Sequence, residues 1–125
     1  MLAAHPSKCV LLVDDNFVTR EAMSQVLGCD GYCVLTAANG ADAFLRLNGH
    51  ERPAMILLDL NMPVMDGPTF RQRLQQDQEL AAIPVVLLSS AGDVAEQATS
   101  LGAQTYLRKP FDTARLLDVV HRYCK

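Results

Sequence analysis

Three aspartates in this 125-residue chain stand directly after short apolar runs. Asp14 and Asp15 follow Val10-Leu11-Leu12-Val13, and Asp59 follows Met55-Ile56-Leu57-Leu58. Two further runs end in groups able to hold an anion: Val85-Val86-Leu87-Leu88 gives way to Ser89-Ser90, and Thr105-Tyr106-Leu107-Arg108 to Lys109-Pro110. Carboxylates gathered in one place repel, and without compensation at least one becomes neutral. A hard divalent cation and a lysine ammonium are the natural compensations. Mg²⁺ favours one or two carboxylates, a backbone oxygen, waters and substrate phosphate oxygens. Lys109 brings a point charge for a phosphate and Ser89 a hydroxyl donor. The set therefore suits a metal and a phosphoryl group side by side. A carboxylate can itself be the nucleophile and become an aspartyl phosphate. Asp59, which ends the third apolar run, is the candidate nucleophile, and Asp14 and Asp15 are candidate metal ligands.

The surrounding pattern says what must position them. Short unbroken apolar runs suit strands buried on both faces of a parallel sheet. Residues 10–13, 33–37, 55–58, 85–88 and 105–108 read as five such strands. Between them lie helical spacings over residues 17–27, with Asn16 as cap and Gly28 as stop, and from about 41 to 47 after Asn39-Gly40. Gly49 to Pro53 breaks that second helix. Asp66 caps a third that starts at Pro68 and runs to about 76. Asp93 opens a fourth that ends before Gly102, and Asp112 caps a fifth that reaches about Tyr123, with Leu116, Leu117, Val120 and Tyr123 on one face. The β-α alternation predicts a doubly wound α/β domain with right-handed crossovers and helices on both faces. In such sheets ligands bind beyond the carboxyl ends of the strands, where the strand order reverses. If the order is 2-1-3-4-5, strands one and three are neighbours at that reversal, and the three carboxylates would converge.

Composition bounds the function. The chain is 50% apolar and 20% charged, with formal net charge −3, so a single globular domain is expected and a nucleic-acid backbone is a poor partner. No apolar run reaches the length of a membrane span, and no signal peptide precedes residue 8, so a cytoplasmic protein is expected. Residues 1–7 read as a loose lead-in. Cys9, Cys29, Cys33 and Cys124 form no metal-ligand spacing and read as reduced thiols, a Cys9–Cys33 bridge being the alternative if their strands are neighbours. His5, His50 and His121 are scattered and read as surface residues. Met62 and Met65 read as local loop packing.

The quoted segments, in their order and spacing, resemble the receiver domain of two-component response regulators. They are Leu12-Val13-Asp14-Asp15-Asn16; Leu57-Leu58-Asp59-Leu60-Asn61-Met62-Pro63-Val64-Met65-Asp66-Gly67; Ile83-Pro84-Val85-Val86-Leu87-Leu88-Ser89-Ser90-Ala91; and Tyr106-Leu107-Arg108-Lys109-Pro110-Phe111. The resemblance runs from about Lys8 to the end. It implies a flavodoxin-like, five-stranded sheet of order 2-1-3-4-5 with five helices, making residues 8–125 one receiver unit. It implies that Asp59 takes a phosphoryl group from a phosphohistidine of a sensor kinase or a histidine phosphotransfer protein. Mg²⁺ (or Mn²⁺) would be held by Asp14, Asp15, Asp59 and the backbone carbonyl of Asn61. Ser89 matches the switch hydroxyl and Lys109 the phosphate-binding lysine, with Lys109-Pro110 as a cis peptide. Tyr106 matches the switch aromatic, beside an output face made of the last two helices and the fifth strand. An output protein, a linked output domain or a second copy of the chain would read that face. Ser90 departs mildly, since the family most often has Ala there.

Three other readings are open. A haloacid-dehalogenase-type phosphatase also forms an aspartyl phosphate, but it usually has a second Asp two positions on, where this chain has Asn61. A flavodoxin-like electron carrier needs a Ser-, Thr- and Gly-rich first loop, where this chain has Asp14-Asp15-Asn16. A receiver that only mediates interaction would not need the full chemical set.

Overall fold

Five parallel strands form in the computed structural model, the three inner ones from short, continuous runs of mainly Val, Leu and Ile. The structure describes residues 8–47, 52–60 and 67–124. Strand β1 is Cys9–Val13, β2 Cys33–Ala37, β3 Met55–Asp59, β4 Val85–Ser89 and β5 Thr105–Arg108. They pair as β2-β1-β3-β4-β5, and every pair is parallel. β1, β3 and β4 are buried along their full length.

Helix α1 is Phe17–Cys29, α2 Gly40–Leu47, α3 Gly67–Gln75, α4 Gln78–Ala81, α5 Val94–Leu101 and α6 Thr113–Tyr123. The expectation of five helices is corrected to six among the described residues. The additional one, α4, is a single four-residue turn capped by the Asp77 side chain, which accepts from the Glu79 and Leu80 N–H groups. It is too short to leave a periodic apolar pattern. Helix α1 also runs through Gly28, and Asp30 rather than Gly28 caps it. The reversal falls at Gly31, whose φ of 96° suits glycine. The expected caps Asn16 and Asp112 accept from the N–H groups of Thr19 and Arg115, whereas the Asp93 side chain makes no capping bond. The lead-in, His5, His50, Met62, Met65 and the proposed cap Asp66 lie outside the described residues.

The pleat sends alternate residues to opposite faces. Leu11, Val13, Ile56, Leu58, Val85 and Leu87 pack with side chains of α2, α3, α4 and α5 in one core. Val10, Leu12, Met55, Leu57, Val86, Leu88 and Leu107 pack with Met23 and Leu27 of α1 and Leu116, Val119 and Val120 of α6 in the other. Cys9 stands opposite Cys33 in the β1–β2 register, with Cα atoms 4.3 Å apart, and the two form a disulfide. This corrects the reduced-thiol reading for that pair, because the register puts both residues on one face at one level. Cys29 and Cys124 are free thiols, exposed and buried respectively.

Candidate functional site

Parallel strands carry all their carboxyl ends to one edge of the sheet, and the alternation decides which face each terminal side chain takes. Asp59 continues the parity of Met55 and Leu57, so it is directed towards the α1–α6 side. One carboxylate oxygen each from Asp14, Asp15 and Asp59 lies within 4.8 Å of the others. Asp14 is fully buried, Asp59 is 4% exposed and Asp15 is exposed. The Lys109 Nζ lies 3.1 Å from Asp14 Oδ2 and 3.6 Å from Asp59 Oδ1. Three carboxylates against one ammonium leave an excess of negative charge in a largely buried cleft. That imbalance, with one open-sided ligand in Asp15, fits a hard divalent cation. Asn61, whose carbonyl was expected to complete the set, lies outside the described residues.

Besides Lys109, three further hydrogen bonds hold Asp14. Its Oδ1 accepts from the Asn16 N–H at 2.9 Å, and its own N–H donates to the Ala37 carbonyl at 3.1 Å. Its carbonyl accepts from Arg20 Nη1 at 2.8 Å. The same Asn16 caps α1, so the helix start and the acidic corner are one piece of backbone. The role of Arg20 escaped the sequence reading; its place one turn after the Asn16 cap was the available signal.

Ser89 has the parity of Val85 and Leu87 and so belongs to the opposite, α5 side of the sheet edge. It is 1% exposed, and its Oγ accepts from the Ala91 N–H at 3.0 Å. Tyr106 packs half-buried against that same core and pairs in register with Leu87. Arg108, one pleat further along, donates from Nη2 to the Gly92 carbonyl at 3.3 Å. The Lys109-Pro110 peptide is cis. The structure therefore brings Asp14, Asp15, Asp59 and Lys109 together. Ser89 and Tyr106 share the other side, under α5.

Beside the acidic cluster runs an open, mainly apolar groove of about 540 Å³. Val18, Thr19, Ala22 and Met23 of α1 form one wall, and Ser90, Lys109, Pro110 and Phe111 the other. Val18 is 73% exposed there, and its chain neighbour Phe17 is 64% exposed, with Arg20 stacked over the Phe17 ring. Helical spacing over residues 17–27 gave no hint of this surface.

Residues 10–121 match the model of the response regulator receiver domain. The chain is 35% identical to the sporulation initiation phosphotransferase F of Bacillus subtilis over 116 residues, covering 91% of each protein. It is 38% identical to a probable transcriptional regulator of Guillardia theta over 109 residues, which is 86% of this chain but only 41% of that protein. The chain thus spans under half the length of that transcriptional regulator. A solved receiver domain of a sensor histidine kinase from Pseudomonas aeruginosa PAO1, with a magnesium ion in its active-site cleft, superposes with a TM-score of 0.84. That pair shares 29% identity and covers 94% of this chain and 98% of the other.

Proposed function

The chain belongs to the response regulator receiver family and works in phosphorylation-dependent two-component signalling, and from that premise we propose that Asp59 is its phosphoryl acceptor. The carrying observation is the gathering of Asp14, Asp15 and Asp59 around Lys109 at the carboxyl edge of the sheet. Residues 8–125 act as one receiver unit.

Asp59 attacks the phosphorus of a phosphohistidine on a sensor kinase or phosphotransfer protein. An O–P bond forms as the P–N bond breaks, and the imidazole leaves with the electron pair. Asp14, Asp15 and Asp59 would hold Mg²⁺ or Mn²⁺, with the Asn61 carbonyl as a further ligand. When bound, the cation would supply positive charge to offset that of the carboxylates and of the incoming phosphoryl group. Lys109, already between Asp14 and Asp59, turns to a phosphoryl oxygen once it arrives. The apolar groove at Val18, beside exposed Phe17, gives the partner a landing surface next to the acceptor.

The charge added by phosphorylation draws the Ser89 hydroxyl from the Ala91 N–H towards the phosphate. Because Ser89 and Tyr106 lie on the same side of the sheet, that shift opens space which Tyr106 fills. The face of α5, β5 and α6 then changes for an output protein, a linked output domain or a second copy. The chain modifies itself and turns over no separate substrate. No helix among the described residues is long and apolar enough to cross a membrane, and a cytoplasmic site of action suits a phosphohistidine donor.

The test is uptake of one phosphoryl group, read by intact mass, from acetyl phosphate with Mg²⁺. The wild type gains it, and a chelator or Asp59→Asn abolishes the gain. Wild-type uptake by Asp59→Asn would refute the assignment. Steady release of phosphate from added phosphoesters would instead revive the phosphatase reading.

A further inference from the structure

Helix α5 is held very differently at its two ends. Its amino end follows Ser90-Ala91-Gly92, and its N-cap Asp93 makes no side-chain capping bond. A Cβ added at Gly92 would meet nothing within 4 Å. Val94 seats this end in the core, and the side-chain bond that ties the preceding loop to β5 is the 3.3 Å one from exposed Arg108 to the Gly92 carbonyl. The carboxyl end closes on Gly102 in the left-handed region, with φ 71° and its N–H on the Ala98 and Thr99 carbonyls. The Ala103 N–H adds a second bond to Ala98 at 2.9 Å.

A side chain from another helix then fastens that end. Arg71 of α3 donates from Nε to the Leu101 carbonyl at 2.9 Å and from Nη2 to the Gly102 carbonyl at 3.0 Å. A fork-shaped cation on two terminal carbonyls suits both the unmade hydrogen bonds and the negative end of the helix dipole. Arg71 is 7% exposed, and among the described residues it has no carboxylate partner. Its Nη1 is buried with no hydrogen-bond acceptor. Burial pushes its guanidinium below the ordinary arginine value. A cation kept dry for backbone alone marks a deliberate attachment point, because a leucine there would fill the same layer without that cost.

We propose that Arg71 is a positioning residue that fixes the carboxyl end of α5, so that rearrangement of residues 90–93 tilts the helix about Gly102 instead of sliding it along the sheet. The proposal rests on the phosphoryl-switch reading and specifies how its motion is constrained. Eight residues make a helix about 12 Å long, so a tilt of about 10° displaces the amino end by about 2 Å and the clamped end hardly at all. The consequence for output is directional. Change is concentrated where α5 meets the loop and β5, and the α3–α5 contact is preserved.

Amide hydrogen exchange on the full chain, with and without acetyl phosphate and Mg²⁺, tests this. Intact mass in the same samples reports phosphoryl uptake. In the wild type the exchange change falls on residues 90–97 and leaves 99–104 within error. Arg71→Lys keeps the charge but gives up the rigid fork whose two nitrogens meet the two carbonyls separately. It should take up phosphoryl at a rate within about twofold of wild type, while the change spreads across 99–104. A wild-type change that already covers 99–104 overturns the proposal, whether or not any variant folds. So does Arg71→Lys, folded by circular dichroism, with the change still confined to 90–97. Absence of uptake in the wild type defeats the switch reading, and the pivot with it; uptake with the wrong exchange pattern defeats the pivot alone.

Discussion

The Lys109 N–H donates to the Ser89 carbonyl at 2.8 Å, so the two residues proposed to meet the phosphate are tied through backbone although their side chains serve opposite sides of the sheet edge. The ammonium of Lys109 reaches Asp14 and Asp59, while the hydroxyl of Ser89 turns to the loop that leads into α5. The bond makes the acidic cleft and the α5 side one mechanical unit.

Removing the ammonium should separate cation binding from phosphoryl chemistry. Lys109 competes with a divalent cation for Asp14 and Asp59. Lys109→Met should therefore raise Mg²⁺ affinity on the order of tenfold, or about 1.4 kcal/mol. Phosphoryl uptake should fall by at least about tenfold, through loss of a positioned charge on the phosphate. Calorimetric titration and intact mass read the two effects, and an unchanged Mg²⁺ affinity would count against the direct competition.

Asp15 is exposed and adds its charge to two buried carboxylates. Asp15→Asn should relieve repulsion in metal-free protein and raise its melting temperature. It should also weaken Mg²⁺ binding on the order of tenfold. A melting temperature that falls without metal would show that Asp15 serves the fold and not the cation.

Stability should have an alkaline limb set by Tyr32. Burial first, then the Cys124 thiolate and Asp30, push its phenol up to about 12. The folded state thus keeps the proton after the unfolded chain has lost it, near pH 10. The associated stability is intact below pH 10 and is lost as pH rises towards 12. The interval corresponds to roughly 2–3 kcal/mol. Denaturant titrations of wild type and Tyr32→Phe from pH 9 to 12 should converge at low pH and diverge above 10; parallel curves would remove Tyr32 as the cause. The buried Cys124 thiol is also pushed up, and it is common to both proteins.

The Cys9–Cys33 pair should be visible to alkylation. Without reductant, Cys29 is the readily labelled thiol, since Cys124 is buried. Reduction should expose Cys33 to label and lower stability by up to about 3 kcal/mol, from the 24-residue separation the bond spans. Cys33→Ser should show the same loss with or without reductant. Equal labelling before and after reduction would mean that the pair stands as two thiols.

Much of this was legible in the sequence because four of the five strands end at a polar residue able to do chemistry, and three of those are continuous apolar runs up to that residue. Asp14, Asp59, Ser89 and Lys109 were each placed at a strand end by that rule, and the observed order β2-β1-β3-β4-β5 matches the expectation. Helix α4 was not legible, as one turn has no period; Asp77 followed by Glu79 was its single trace. The disulfide stayed an alternative because a run of residues does not fix register, and a one-residue slip would put Cys9 and Cys33 on opposite faces. The Arg71 clamp had no signature at all. Its partners are carbonyls, which every residue owns, and they lie far along the chain in α5 and its cap.

The disulfide joins β1 and β2 at the ends where those strands begin, and the acidic cluster sits where they finish. A five-residue strand spans roughly 16 Å, so the crosslink and the acidic cluster lie well beyond each other's reach. Toughness and responsiveness are thereby housed in different parts of one sheet. An oxidised and a reduced molecule can differ in how long they survive and still answer the same incoming message alike.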